Sequence, residues 1–238
     1  MAHIKFGNVD FSTEEMFIFS GGAYSAPVRD VTREAVLGRN GDIIVDNGRY
    51  MNTTASFVVN VQGDVPRNIE RLKYMLYSQK GYQRLYDSTA KDFYRLACFT
   101  DGFELTNADG GNILLTFNCK PHKYAISGDE WIGAKNAKFV NPFFENANPI
   151  IKIGGEAGKS GSITIKNDVE ETKISFQTAG YILYIDTSTQ QAWTQVGDMK
   201  YNAAHLVDAA YAEFKKGVNF VYCDGDFSVQ IQPRWCTI

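Results

Sequence analysis

Histidine is scarce, with three among 238 residues, at positions 3, 122 and 205. None stands in an HxxxH or HExxH spacing, so the paired-histidine helix face of a zinc hydrolase is missing. A Ser–His–Asp or Cys–His arrangement has equally little to draw on. Cysteine is nearly as rare. Cys98, Cys119, Cys223 and Cys236 match no zinc spacing. Each lies in an apolar, strand-like stretch, where a free, buried thiol is expected. Long apolar runs are missing too: nothing approaches the roughly 18 residues of a membrane-crossing helix. Met1–Asn8 holds no apolar signal core, and synthesis and assembly in the cytoplasm are expected. Charge of one sign is also lacking. A net charge of −3 supplies neither the basic stripe of a nucleic-acid binder nor a polybasic membrane patch. No catalytic group, metal or cofactor is expected.

What the chain does have is aromatic residues and glycine: 16 Phe, 13 Tyr and 21 Gly. Together with many Val, Ile and Thr, this is the composition of short strands joined by turns. Ser56–Val61 alternates, with Phe57, Val59 and Val61 on one face. Ile113, Leu115, Phe117 and Cys119 do the same over 112–119. Both have the period of a half-buried strand. Residues 92–99 place Tyr94, Leu96 and Cys98 together, and Asn107–Gly111 is rich in turn residues. Between Ser56–Val61 and residues 92–99 one helix is expected over 66–80. Asp64 caps it and Pro66 opens it. Ile69, Leu72, Met75 and Leu76 form its apolar stripe, and Gly81 ends it.

Residues 121–149 carry Pro121, Pro142 and Pro149 with recurrent Asn and Gly, and read as a connector. Strands are then expected at Ile150–Ile153, Ser162–Lys166, Lys173–Phe176, Tyr181–Ile185, Val218–Tyr222 and Phe227–Gln232. Such short spacing argues for a sandwich. Leu206, Val207, Ala210, Tyr211 and Phe214 have helical spacing, so 203–215 reads as a short helix.

Two segments imitate functional motifs. Gly154–Ser160 resembles a phosphate-binding loop, but the first required glycine position is Ile153. The strand-like Ser162–Ile165 that follows makes it a turn between strands. Asp224-Gly225-Asp226 lies between two strands and reads as a hairpin turn, since a calcium loop needs a longer ligand series. Asn47-Gly48 is a strong type I′ hairpin signal.

The ordered set is familiar. Gly38-Arg39-Asn40-Gly41-Asp42 leads to Asp46-Asn47-Gly48-Arg49-Tyr50. A helix, Gly81–Asp87, Tyr94-Arg95-Leu96-Ala97 and Phe117–Pro121 follow. Then come Asn148-Pro149, Tyr184-Ile185-Asp186, Ala192-Trp193 and a closing Ile231-Gln232-Pro233-Arg234-Trp235. This order resembles the distal tail (Dit) proteins of siphophages over nearly the whole chain. Cys236 departs from it, standing where relatives often carry a second tryptophan.

The resemblance implies a mainly β protein in two parts. Residues 1–138 would form a β-structure with one packed helix and an extended arm. Residues 139–238 would form a galectin-like β-sandwich. Six copies would close a ring at the virion tail tip, joining the tail tube protein to a tail-associated spike or lysin. In some phages the second domain also holds receptor-binding proteins. Arg39, Asp42, Asp46, Arg49, Tyr50, Arg84 and Arg234 are the candidates for ring or domain contacts, with ion pairing inside one subunit the open alternative. A second reading makes residues 149–238 a carbohydrate-binding adhesion module with Trp193 stacked on a sugar. No motif supports a third, enzymatic reading.

Overall fold

In the computed structural model of the chain, the described residues are 3–11, 14, 17–103, 111–208 and 211–238. They form a mainly β structure with a single α-helix among the described residues. The chain divides into two compact units, Met1–Lys123 with Ile238, and Tyr124–Thr237.

The first unit contains β1 (Ile4–Phe6), β2 (Val9–Asp10), β3 (Phe17–Tyr24), β4 (Arg29–Glu34), β5 (Ile43–Tyr50), β6 (Thr53–Val61), α1 (Val65–Tyr77), β7 (Gln83–Asp87), β8 (Phe93–Cys98) and β9 (Asn112–Ala125). Its main sheet runs β2-β1-β7-β8-β9-β6-β3. The β6–β9 pair is its spine, in register from Thr53↔Cys119 to Asn60↔Asn112. Phe57, Val59, Ile113, Leu115 and Phe117 are all buried on one side of it, as the alternation predicts. Phe117 sits at the centre of an edge-on cluster, with ring centroids 5.0 Å from Phe6, 5.4 Å from Phe99 and 6.0 Å from Phe57. Leu72 and Leu76 of α1 complete this core. Each such side chain contributes roughly 1.5–3 kcal/mol by burial. Asp64 caps the helix by accepting from the Arg67 N–H at 3.3 Å, with Pro66 in the first turn. Gly111 is held by close approach. Its φ is +58°, and a Cβ there would lie 2.4 Å from the Val61 carbonyl oxygen.

Tyr94, Leu96 and Cys98 share a face of β8 as expected, with Tyr94 buried, and Ala97 and Phe99 reach the main core from the other face. Two expectations change in this unit. Pro121 does not open a connector; β9 continues to Ala125. That is tolerated because Pro121 lies beyond Cys119, the last residue of β9 paired to β6, so no β6 ladder bond is lost. Asn47-Gly48 is no turn. It lies inside β5, for reasons given below. Of the turn-rich stretch 107–111, residues 107–110 lie outside the described residues.

The second unit contains β10 (Ile132–Gly133), β11 (Ala137–Asn141), β12 (Ile150–Gly154), β13 (Ser160–Lys166), β14 (Glu171–Gln177), β15 (Leu183–Asp186), β16 (Gln191–Val196), β17 (Met199–Asn202), β18 (Val207–Asp208), β19 (Gly217–Asp224) and β20 (Ser228–Gln232). One sheet runs β10-β20-β12-β15-β16-β17 and the other β11-β19-β13-β14-β18. Each buries one face: Ile151, Ile153, Leu183, Ile185 and Ile231 in the first, Phe139, Ile163, Ile165, Ile174 and Val221 in the second. Aromatic contacts fill the gaps, with Phe176 edge-on to Phe227 at 4.9 Å and Phe139 stacked on Phe214 at 5.1 Å. Asn219 is fully buried, and its amide bonds the Lys215 and Gly217 carbonyls at 2.8 and 3.1 Å.

The helix expected over 203–215 does not form. Ala204–Leu206 is one 3-10 turn, and Val207–Asp208 then pairs with β14. Phe214 instead bridges to Ala147. The spaced apolar residues are claimed one at a time by neighbouring strands, which outweighs weak helical propensity. Ala210 lies outside the described residues. Asp224-Gly225-Asp226 is likewise not a hairpin, because β19 and β20 belong to different sheets. Gly154–Ser160 joins β12 to β13 and opens no helix.

Candidate assembly surface

No group of three or more His, Cys, Asp or Glu side chains that could hold a metal occurs among the described residues. Burial pushes the Cys119 and Cys236 thiols up to about 11, far from the lowered values of reactive cysteines. The unusual chemistry lies on the surface, in β4 and β5.

Among the described residues these two strands pair only with each other. Glu34↔Ile43, Arg33↔Ile44, Thr32↔Val45 and Val31↔Asp46 are regular partners. The next pair is Arg29↔Tyr50, so Asn47, Gly48 and Arg49 together face Asp30. This is a bulge, and it absorbs the positive φ of Gly48 (+71°) that otherwise suggests a turn. The Gly48 N–H donates to Asp46 at 2.8 Å. Arg29 donates to Asp46 at 2.9 Å, Arg49 to Asp30 at 2.6 Å and Asn47 to Asp30 at 3.0 Å. Hydrogen bonds from Asn47 and Arg49 hold the Asp30 carboxyl below its ordinary range. The hydrogen bonds that Arg29 donates to Tyr50 and Asp46 push its guanidinium up. At the root, the Met51 N–H donates to the Val28 carbonyl at 2.8 Å.

Polar links of this kind contribute little when solvated, and a lone two-stranded ribbon is marginal in water. The ribbon also exposes what a monomer normally covers. Leu37 at its tip is fully exposed, and Ile44 and Val45 of β5 are 63% and 47% exposed. Val28 and Met51 continue the apolar surface at the root. Exposed aliphatic side chains on a ribbon with no core on either side make it a candidate contact surface.

Of the sequence candidates, Asp46, Arg49 and Tyr50 meet in this ribbon, and Arg39 and Asp42 lie on its exposed loop. The partners Arg29 and Asp30 have no sequence signal of their own, since the hairpin register alone brings them opposite. Arg84 sits on the main sheet, 4.5 Å over the Tyr94 ring and 3.3 Å from the Tyr86 hydroxyl. Arg234, in the second unit, adopts φ +56° and donates to Asp186 at 3.1 and 3.2 Å and to Ser188 at 3.1 Å.

Trp193 lies on the outward face of the β10–β17 sheet. Tyr184 of β15 stacks on it at 5.4 Å and 5°, and Lys200 Nζ of β17 is 4.7 Å from its ring centroid. Because β16 lies between β15 and β17, these two cover opposite sides of the indole.

No protein-family model matches the sequence, and no curated protein sequence does. Solved structures match in fold over nearly the full length, two of them as follows. The Dit protein of phage SPP1, described as a paradigm of the hub adsorption apparatus in phages infecting Gram-positive bacteria, aligns with a TM-score of 0.72 at 12% identity, covering 97% of this chain and 98% of that one. A chain of the phage P2 baseplate, in its activated conformation with calcium, aligns with a TM-score of 0.59 at 14% identity, covering 97% of each chain. The chain therefore has the fold of a phage tail hub protein.

Proposed function

We propose that the chain is a structural subunit of a phage tail tip, a hub with no catalytic role. Six copies close a ring that joins the tail tube to the spike or lysin below it. The observation that carries this reading is the exposed apolar β4–β5 ribbon, on a chain whose whole length follows the fold of a hub protein. Closed rings need one patch to meet a different patch on the next copy. A ribbon projecting unshared strands and aliphatic side chains is suited to that contact. Ring closure is thus assigned to the first unit. The second unit, two sheets each burying one face, is assigned the part of a galectin-like module displayed outward, where it can hold a receptor-binding protein. Arg39, Asp42, Asp46, Arg49 and Tyr50 then serve by shaping the ribbon, and Arg84 and Arg234 by stabilising their own units.

The carbohydrate reading has less behind it. A sugar stacks on an open aromatic face, and both sides of Trp193 are covered.

Light scattering on the purified chain tests the hub. A ring has a mass of about 160 kDa, six times the 26.6 kDa chain. That species should be lost on Leu37→Asp/Ile44→Asp substitution while the subunit stays folded. A double variant that keeps the ring removes the ribbon from the interface.

A further inference from the structure

The outer face of the β11–β18 sheet carries a hollow of about 460 Å³, lined by Thr164, Lys166, Asp168, Glu171, Phe220 and Tyr222. Strand alternation brings these side chains together. Val221 and Cys223 of β19, and Ile163 and Ile165 of β13, turn into the core, so Phe220, Tyr222, Thr164 and Lys166 turn outward. Phe220 stands opposite Lys166 and Tyr222 opposite Thr164, with Glu171 of β14 beyond Lys166 in the same row. The two aromatic residues are 39% and 46% exposed. Their rings lie within 19° of parallel, with centroids 6.3 Å apart, and among the described residues no other ring and no cation covers them. The rim is polar and of both signs. Lys166 and Glu171 pair at 3.3 Å, both more than half exposed, and such a solvated pair costs little to open. One wall is the β13–β14 turn. There the Asn167 side chain accepts from the Val169 and Glu170 N–H groups at 2.8 and 2.9 Å, which fixes the backbone that carries Asp168. Exposed lysines flank the hollow, Lys138 opposite Phe220 and Lys173 opposite Thr164. Aromatic surface with a few convergent polar groups, in a volume within about 300–1,000 Å³, is the make-up of a small-ligand site.

We propose that this hollow binds a saccharide, with a pyranose ring laid against Phe220 and Tyr222 and its hydroxyls bonded to Asp168, Glu171 and Lys166. A pyranose has an apolar face of C–H groups and a rim of hydroxyls, each of which donates and accepts. The carboxylates accept and the ammonium donates, so a rim of both signs satisfies hydroxyls where it would suit no simple anion. The same two carboxylates repel a phosphodiester chain, which sets this face apart from the aromatic and basic grooves that hold single-stranded nucleic acid. The rings are open where those of Trp193 are covered, so the site lies on the sheet opposite to the one that Trp193 pointed to. The proposal does not depend on the hub reading.

An array of printed hexose, N-acetylhexosamine and uronic-acid oligosaccharides, probed with the full chain, tests it, followed by calorimetric titration with the oligosaccharide bound best. Saturable binding to at least one of the three classes is expected. Tyr222→Ala and Phe220→Ala each weaken it at least about tenfold, the effect of losing the apolar contact of one ring face. Both rings point outward, so these variants keep the melting temperature of the parent to within a few degrees. Asp168→Asn, in a turn held by Asn167, weakens binding several-fold, and Trp193→Phe leaves it unchanged. No saturable binding to any of the three classes overturns the proposal. So does an affinity unchanged in both ring variants, or oligo(dT) binding as tightly as the glycans, which would mark a nucleic-acid face.

Discussion

The first unit contains two antiparallel pairs of similar length that differ in almost everything else. In β6–β9, alternate side chains are sealed in a core around Phe117, and the outward ones bond across the pair, as Ser56 does to Thr116 at 2.9 Å. In β4–β5 no strand residue is buried, and the cross-strand chemistry is ionic and solvated. The first pair is stabilised by the subunit that contains it. The second carries its aliphatic residues outward, where the described residues of the chain leave them exposed. Antiparallel pairing thus builds a core in one place and leaves its side chains exposed in the other, and the side-chain pattern separates the two.

The contrast can be attacked at several points. The largest effect is expected at Phe117→Ala, which should cost about 3–5 kcal/mol of subunit stability, read from the urea midpoint at constant slope. A smaller loss should disprove its place at the centre of the core. Arg234→Ala comes next. It leaves the Asp186 carboxylate, 16% exposed, without its cation, and about 1–3 kcal/mol is expected. The same truncation at Arg49, 74% exposed, should move the urea midpoint hardly at all. Comparable losses for the two arginines would erase the distinction between buried and solvated pairs.

Alkaline pH gives a third handle. Burial pushes the Tyr24 hydroxyl up to about 12. Between its ordinary value near 10 and about 12 the folded chain holds a proton that the unfolded chain releases. Stability is therefore complete below pH ~10 and falls as pH rises through that window. Tyr24→Phe should flatten this part of the stability–pH curve. An unchanged slope assigns it to another group. The smallest effect on unfolding is expected from Leu37→Asp, within about 0.5 kcal/mol, although it should weaken the ring. A large loss of subunit stability there would mean that the ribbon belongs to folding after all.

Much of the first half was legible because its signals are local. The period of two at Phe57–Val61 and Ile113–Cys119, and the apolar stripe Leu72–Leu76 with its Asp64 cap, need no knowledge of distant residues. The longer strands of the second unit were legible for the same reason, apart from β11, β16 and β17, whose mixed composition hides the alternation; the two-residue β10 and β18 were not read, β18 falling in the segment read as a helix. What could not be read depends on register. Glycine with positive φ fits a turn or a bulge equally well, and only the residues opposite Gly48 decide. The helical spacing at Leu206–Phe214 competes with strands whose positions the local sequence does not contain. The pairs Arg29–Asp46 and Arg49–Asp30 are 17 and 19 residues apart and become neighbours only once the ribbon closes. Trp193 stood out as a residue, but the covering of its two faces is a property of its surroundings.

The three-against-one bulge at Asn47–Arg49 also sets a rule for how the ribbon can change. Along an uninterrupted strand, gaining or losing one residue turns every later side chain to the opposite face. An irregular segment interrupts that bookkeeping of parity. Above it, the stretch from Ile43 to Asp46 keeps its own phase with Val31–Glu34; below it, Tyr50 is fixed opposite Arg29. A single-residue insertion among 47–49 can be taken up where pairing is already broken, whereas the same insertion at Val45 would exchange Ile43 and Ile44 between faces. The tip and the root can therefore drift independently in sequence.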